Sequence, residues 1–77
     1  MIEIKVYGKG CSKCQLLATN AEQAARELGL DYTLEKVTDM GAIVEAGVMT
    51  TPALSIDGDL KSMGRVLNPE KIKSLLG

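Results

Sequence analysis

The sequence contains no histidine, no tryptophan and no phenylalanine, and its only aromatic residues are two tyrosines. Without histidine, any nucleophilic mechanism that pairs a cysteine with an imidazole base is excluded. A closed zinc site takes about four protein ligands. With only two cysteines in the chain, such a site would require a second chain or recruited carboxylates. The scarcity of aromatic residues also means that the core is built from aliphatic side chains.

Neither sign of charge dominates the chain, which has nine basic and ten acidic residues and a net charge of −1. This balance provides no attraction for a nucleic-acid backbone or an anionic membrane, and aromatic stacking platforms are missing. No apolar segment approaches the roughly 18 residues needed to span a bilayer. The N-terminus lacks the basic and then apolar pattern of a secretory signal. We expect a cytoplasmic protein that binds neither nucleic acid nor membrane.

The length of 77 residues, with 45% hydrophobic and 25% charged residues, predicts a single folded domain over residues 1–77. We expect it to be a monomer. The cytoplasm keeps thiols reduced, so two closely spaced cysteines there are more often catalytic or metal-binding than structural. A disulfide closing so short a loop would add only about 2 kcal/mol of stability.

Two periodicities organise the first half of the chain. Apolar and polar residues alternate over Ile2–Tyr7, which predicts a strand with one buried face. From about Cys11, apolar residues recur at three- and four-residue spacings, as in an amphipathic helix. The members of this stripe are Cys14, Leu17, Ala18, Ala21, Ala25 and Leu28. Gly29 is expected to end the helix, and a second strand is expected over Asp31–Val37.

The middle of the chain predicts one short helix and a hairpin. A helix is expected within residues 39–47, with Asp39 as its N-cap. Strands over Ala53–Ile56 and Asp59–Met63 flank Asp57-Gly58, a dipeptide typical of tight hairpin turns.

The C-terminal segment carries several helix-start signals. Asn68 can cap a helix whose first residue is Pro69, and Leu67 can pack on Ile72 as a hydrophobic staple. The buried face of this helix is predicted to contain Ile72, Leu75 and Leu76.

The predicted fold class is α/β, with the order β-α-β-α-β-β-α. A strand, a helix and a strand within about 36 residues form a right-handed unit with parallel strands. The following hairpin is antiparallel, so we expect a four-stranded mixed sheet with three helices. The two longer helices should cover the face formed by Ile2, Ile4 and Val6, and the short helix the opposite face.

The chemistry of the chain is concentrated in Cys11 and Cys14, a CxxC motif at the junction of the first strand and first helix. The first turn of a helix presents unpaired N–H groups and the positive end of the helix dipole, which stabilise a thiolate. Only the thiolate attacks a disulfide, so Cys11 is a candidate nucleophile. Cys14 lies on the buried stripe and is a candidate resolving thiol. Two thiolates can also bind a soft ion such as Cu(I). A further alternative is that the two cysteines have this spacing by accident and no function.

A second signal is Thr51-Pro52, where a proline precedes the third predicted strand. Proline is tolerated at the start of a strand because it need not donate to the ladder. By itself this dipeptide indicates no more than the beginning of a strand.

CxxC at the first helix, Thr51-Pro52 at the third strand and the β-α-β-α-β-β-α order together resemble the thioredoxin/glutaredoxin superfamily. The chain is most similar to its small, glutaredoxin-sized prokaryotic members. These share the G-x-G-C-x-x-C opening, E-A-G before T-x-P, and a D-G hairpin that leads to M-G-R. The resemblance covers essentially the whole chain and implies a thioredoxin fold.

The resemblance also implies roles for individual residues. Cys11 would attack a substrate disulfide and Cys14 would resolve the mixed disulfide. Thr51 and Pro52, joined by a cis bond, would dock an extended substrate peptide through the backbone. The residues expected to line the same groove are Tyr7, Lys9 and Gly64. The expected partners are disulfide-containing proteins and a reductase or small-thiol donor, and the Cys11-Cys14 disulfide is expected to serve in place of a cofactor.

The motif departs from the common members at Ser12-Lys13, where thioredoxins have Gly-Pro and glutaredoxins Pro-Tyr. The direction of electron flow and the electron donor therefore stay open. A Cu(I)-type metallochaperone is one alternative, although such proteins usually have a β-α-β-β-α-β order and a methionine where this chain has Lys9. A thioredoxin-like adaptor with regulatory cysteines is another.

Overall fold

The computed structural model describes residues 1–10 and 12–76, so Cys11 and Gly77 lie outside the described residues. The elements are β1 (Ile2–Tyr7), α1 (Ser12–Glu27), β2 (Tyr32–Val37), α2 (Met40–Glu45), β3 (Ala53–Ile56), β4 (Asp59–Met63) and α3 (Pro69–Leu76). This is the predicted order. The expected beginning of the first helix at about Cys11 falls outside the described residues, and the helix is described from Ser12.

The four strands form one mixed sheet in the order β2-β1-β3-β4. β1 is parallel to β2, and β3 is antiparallel to both β1 and β4. Helix α1 connects the parallel pair, as such a crossover requires. The prediction of a mixed sheet is confirmed.

A two-residue turn at Asp57-Gly58 joins β3 to β4. Both residues have positive φ angles, 52° and 85°, and a type I′ hairpin turn requires this conformation at both central positions. Because asparagine, aspartate and glycine tolerate this region best, the dipeptide in the sequence was sufficient to predict the turn.

Helices α1 and α3 pack on the face of the sheet that carries Ile4 and Val6, as predicted. The buried residues of this first core are Ile4, Val6, Leu17, Ala18, Ala21, Ala24, Ala25, Leu54 and Ile72. Four of the α1 members are alanines, whose small side chains let the helix lie close to the strands. Dispersion contacts and burial of apolar surface at this interface are the main source of stability.

The predicted stripe of α1 needs one correction at its C-terminal end. Leu28 is 40% exposed because the helix ends at Glu27 and Gly29, with φ 66°, turns the chain away. The amide of Leu30 donates to the Ala25 carbonyl at 3.1 Å, which is the closing bond of a Schellman motif. Ala24, which the stripe did not include, is fully buried instead.

The short helix α2 covers the opposite face of the sheet. Its N-cap is Asp39, whose carboxylate accepts a hydrogen bond from the Ala42 amide at 3.0 Å. The buried residues of this second core are Tyr7, Ile43, Val48 and Ala53. The predicted cap and the predicted side of the sheet are both confirmed.

Helix α3 begins as predicted, with Asn68 Oδ1 accepting a hydrogen bond from the Lys71 amide at 2.8 Å. Leu67 is half-buried against the cluster that contains Ile72. Its carbonyl accepts a hydrogen bond from Asn20 Nδ2 at 2.9 Å, and this bond fixes the loop before α3 against α1. Leu75 and Leu76 are half-buried rather than buried.

The C-terminal halves of α1 and α3 are joined by an ion pair between Glu27 and Lys73. Lys73 Nζ lies 2.5 Å from Glu27 Oε1, and Gln23 donates to Oε2 of the same carboxylate at 2.7 Å. The hydrogen bond from Lys73, and next that from Gln23, hold the pKa of Glu27 below its ordinary value. A carboxylate with a lowered pKa contributes stability that is present above its unfolded pKa and is lost as the pH falls through the folded value.

We expect Glu27→Gln to lower the melting temperature modestly at about pH 7, and we expect the difference from the wild type to shrink as the pH falls through the lowered pKa of Glu27 and its carboxylate becomes protonated. Thermal unfolding followed by circular dichroism over this pH range measures the difference. Glu45→Gln is a matched control, since this glutamate makes no ion pair with the described part of the chain. A Glu27→Gln variant that melts with the wild type at neutral pH would contradict the prediction.

Candidate active site

The sheet register brings four chain segments together at one edge. Tyr7, the last residue of β1, lies opposite both Val37 of β2 and Ala53 of β3. Ala53 in turn lies opposite Met63, the last residue of β4. The segments that follow β1, β2 and β4, and the segment that precedes β3, therefore meet at this edge, which we call the active-site edge.

Cys14 lies in the first turn of α1 and is 5% exposed. Its side chain packs directly on the backbone of Gly8, the residue that follows β1. A Cβ atom at Gly8 would overlap the Sγ atom of Cys14 and would lie 3.1 Å from the Cys14 Cβ and 3.8 Å from the Thr51 Cβ. Gly8 is therefore the point at which the thiol and the Thr51-Pro52 segment converge, and only glycine leaves room for the sulfur.

A small cavity of about 20 Å³ adjoins Cys14. Its walls include Gly8, Gly10, Lys36 and Thr38. A space of about 10–15 Å³ holds one water molecule, so this cavity has room for one. The thiol is thus shielded from large molecules while a single water has space to reach it.

The peptide bond between Thr51 and Pro52 is cis, the isomer that the sequence resemblance implies. Thr51 is exposed, whereas Pro52 is buried. The Pro52 carbonyl accepts a hydrogen bond from the Gly64 amide at 2.7 Å. Gly64 has a φ of 71°, and a Cβ there would lie 3.0 Å from Thr50 Oγ1. A glycine is therefore required at this position for the segments before β3 and after β4 to pack together.

An open groove of about 310 Å³ lies beside Thr51. We call it the apolar groove, and it is lined by Lys9, Met40, Ile43, Val44, Val48, Met49 and Thr51. Three of its apolar side chains are well exposed: Met49 at 89%, Val44 at 66% and Met40 at 48%. The Met49 amide donates a hydrogen bond to Met63 Sδ at 3.5 Å, which holds the groove wall against the end of β4.

The structure brings Lys9, Cys14, Thr51, Pro52 and Gly64 to this edge, where the sequence analysis expected site residues. Cys11, the expected attacking thiol, lies outside the described residues.

Tyr7 is placed differently from the expectation. Side chains alternate along a strand, so while Gly8 faces Cys14, Tyr7 faces α2. It is buried in the second core, and its hydroxyl lies 3.4 Å from Ser55 Oγ. Tyr7 therefore supports the packing of α2 behind the apolar groove and does not line it.

Two features of the site were missed by the sequence analysis. The sequence analysis assigned Gly8 no role in the site, because a glycine that ends a strand and a glycine that makes room for a sulfur look the same in one sequence. The apolar groove was also missed. Its one available signal was the pair of methionines Met40 and Met49, the first at the beginning of the six-residue helix α2 and the second shortly after its end.

In residues 1–10 and 12–76, no group of three or more cysteine, histidine or acidic side chains is arranged to hold a metal ion. None of the helices over the same residues is long and apolar enough to cross a membrane.

Comparison with known proteins agrees with the geometry of this site. The family model for the thioredoxin domain matches residues 2–77. A thioredoxin of Methanothermobacter thermautotrophicus is 49% identical over 76 residues, which cover 99% of both chains. A thioredoxin of Methanocaldococcus jannaschii is 37% identical over 76 residues, which cover 99% of this chain and 87% of the relative.

The fold is similar to a solved structure of thioredoxin-2, described as a component of malaria parasite protein secretion machinery. The TM-score is 0.74, and the match covers 99% of this chain and 81% of that one at 13% sequence identity. At this identity the likeness concerns the fold alone. The family model and the two relatives show that the chain belongs to the thioredoxin family of thiol-disulfide oxidoreductases.

Proposed function

We propose that the protein reduces or forms protein disulfides by cycling Cys11 and Cys14 between a dithiol and a disulfide. The observation that carries this proposal is the placement of Cys14. It lies in the first turn of α1, shielded from solvent, and it shares a contact point at Gly8 with the exposed Thr51. A thiol that must react only within its own chain is expected in such a position.

The first step belongs to Cys11, which directly precedes Ser12, the first residue of α1. The N–H groups and the dipole of the first turn favour the thiolate form. In the reducing direction this thiolate attacks one sulfur of a substrate disulfide. A mixed disulfide forms, and the first substrate thiolate leaves and takes up a proton.

The second step belongs to Cys14. Its thiol loses a proton, and the adjoining cavity has room for one water molecule that can accept it. Its thiolate attacks the Cys11 sulfur of the mixed disulfide, the Cys11-Cys14 bond forms, and the second substrate thiolate is released and protonated. The substrate gains two electrons and two protons, and the protein is left oxidised. Burial of Cys14 keeps outside disulfides from reacting with it first.

Substrate docking would use Thr51 and the apolar groove. An extended peptide can pair with exposed backbone next to Pro52 in the manner of an added strand. The exposed side chains of Met40, Val44 and Met49 would then bury an apolar side chain near the substrate cysteine. Methionine suits this task because its flexible thioether adapts to different partners.

The element order favours this function over a soft-metal carrier. The fourth element is the helix α2, and the strand that follows begins after a cis proline. This arrangement is typical of the redox fold and differs from the β-α-β-β-α-β order of CxxC metallochaperones. A redox-inactive adaptor is distinguished by the cysteine variants below.

The remaining parts of the proposal concern the cellular setting. We propose that the protein acts as a monomer in the cytoplasm, where a reductase or a small thiol returns Cys11-Cys14 to the dithiol. The paired cysteines would carry the electrons themselves, with no separate cofactor.

We expect Cys11→Ser to reduce insulin disulfides no faster than the background rate with dithiothreitol, because the remaining thiol, Cys14, is buried and cannot reach a substrate disulfide. Cys14→Ser should still attack but should accumulate as a mixed disulfide, visible by intact mass. Ser12→Ala, in the same turn, is the control for substitution at this helix end. Cys11→Ser activity equal to that of the wild type would refute the oxidoreductase proposal and favour the adaptor.

We expect Gly8→Ala to slow disulfide exchange by about ten- to a hundredfold, because the new methyl group would overlap the Cys14 sulfur and must displace it by about 1 Å. The lifetime of the mixed disulfide in single-turnover experiments measures this. Gly41→Ala is the matched control, since Gly41 has no positive φ and its Cβ would meet only the Asp39 carboxylate, at 3.3 Å.

The melting temperature separates this effect from a general loss of folding. Gly8→Ala should lower the melting temperature more when it is introduced into the wild-type protein than when it is introduced into the Cys14→Ala variant, which lacks the sulfur. A thermodynamic cycle over the two positions measures that coupling. Additive effects, or a Gly8→Ala protein that exchanges at the wild-type rate, would contradict the assignment of Gly8.

A further inference from the structure

The cations near the active-site edge are not neutralised by the protein itself. The ion pairs among the described residues involve three other cations, Lys5, Arg26 and Lys73, each paired with glutamate. The cations at the active-site edge are Lys9, Lys13, Lys36 and Arg65, and none of them makes an ion pair within residues 1–10 and 12–76. All four are exposed, so their charge is available to a partner.

Each of these four cations is tied to the site by its position. Lys9 lines the apolar groove together with Thr51. Lys36 forms part of the cavity wall beside Cys14. Lys13 directly precedes Cys14 in the first turn of α1.

Arg65 completes the set on the far side of Thr51-Pro52. It follows Gly64, whose amide is hydrogen-bonded to the Pro52 carbonyl. The acidic residues near this edge are Glu35, which directly precedes Lys36, and Asp39 and Glu45 at the two ends of α2. Four cations therefore stand against three carboxylates, one of which, Asp39, is hydrogen-bonded as the N-cap of α2, so the active-site edge has a small surplus of positive charge.

The opposite edge of the sheet has the reverse charge. The carboxylates there lie at the start of β1, before β2 and at the hairpin turn: Glu3, Asp31, Asp57 and Asp59. The Glu3 amide donates a hydrogen bond to Asp57 Oδ1 at 2.9 Å, and the Ile2 amide donates to the Asp31 carbonyl at 2.9 Å, which places these residues at one end. Of these carboxylates Glu3 is paired with Lys5, and the net charge of −1 conceals an uneven distribution of charge between the two edges.

We propose that the active-site edge selects polypeptide disulfides whose cysteine is flanked by acidic residues and by one apolar residue. This inference rests on the proposed function and specifies its substrate class. The four cations attract and orient the acidic flank, and the apolar groove receives the apolar side chain. Charged groups outside the contact act mainly on the association rate and on register, while apolar burial holds the bound complex.

The apolar groove is the reason for choosing a polypeptide over a small anionic disulfide. The groove has a volume of about 310 Å³ and exposes Met40, Val44 and Met49. Binding is favoured when an apolar side chain covers these residues and removes them from water. A small hydrophilic disulfide would meet the cations but would leave the groove in water. A polypeptide with both features uses the whole surface.

The test uses three peptides that contain the same disulfide and the same apolar neighbour but differ in flanking residues: acidic, neutral amide or basic. Single exposed ion pairs have small effects, but four cations acting together should make kcat/KM for the acidic peptide at least about tenfold higher than for the basic peptide at low salt. At about 0.5 M salt, where the screening length is only a few ångströms, the ratio should fall to about twofold.

Charge variants assign the effect to this edge. The combined substitution Lys9→Gln, Lys13→Gln, Lys36→Gln and Arg65→Gln should remove most of the ratio between acidic and basic peptides. Arg26→Gln removes a positive charge from the last turn of α1, at the other end of the helix, and should leave that ratio as it is in the wild type.

The outcomes separate this inference from the proposed function. Equal kcat/KM for all three peptides at low salt, with clear turnover of each, would refute the acidic preference and leave the oxidoreductase function standing. Turnover of no peptide would refute both. Oxidised glutathione, a small anionic disulfide, serves as a fourth substrate. Its reduction as fast as that of the acidic peptide would refute the choice of a polypeptide, and slower reduction by about tenfold or more would support it.

Discussion

The site depends on the close approach of the Cys14 sulfur to the backbone at Gly8. The residue that follows β1 must have no side chain, because the first turn of α1 places the thiol where a Cβ would lie. The same position is 3.8 Å from the Thr51 Cβ, so one glycine sets the distance between the shielded thiol and the Thr51-Pro52 segment. A protein interior packed at this density has no free space for an additional methyl group. The distance between Gly8 and the Cys14 sulfur is therefore closely defined.

Two cores of unequal size hold that contact in place. The larger core joins α1 and α3 to Ile4 and Val6, and its row of alanines lets α1 lie close to the sheet. The smaller core places α2 behind Tyr7 and Ala53. Since α1 carries Cys14 and α2 carries part of the apolar groove, each core positions one half of the site. The hydrogen bond from Gly64 to Pro52 connects the halves across β3 and β4.

Exposure and burial are divided in a way that suits exchange chemistry. Cys14 and Pro52 are buried, whereas Thr51, the methionines of the apolar groove and the cations Lys9, Lys13, Lys36 and Arg65 face solvent. Leaving apolar side chains such as Met49 in water costs stability in the isolated protein. The proposed docking of a substrate would recover this cost, because the substrate would cover these side chains.

Local sequence patterns determined the order of elements, the caps at Asp39 and Asn68 and the turn at Asp57-Gly58, because each depends on neighbours within a few residues. They also identified the CxxC motif, and the resemblance they carry located Thr51-Pro52 and Gly64. Only the tertiary structure decided that Gly8 makes room for a sulfur, that Tyr7 faces the second core, and that Met40 and Met49 line one groove. Those properties arise where strands distant in sequence meet at one edge of the sheet, and a local sequence pattern contains no information about contacts between distant segments. The unpaired positive charge there is likewise invisible in a net charge of −1, because the sum does not register which end of the sheet each residue occupies.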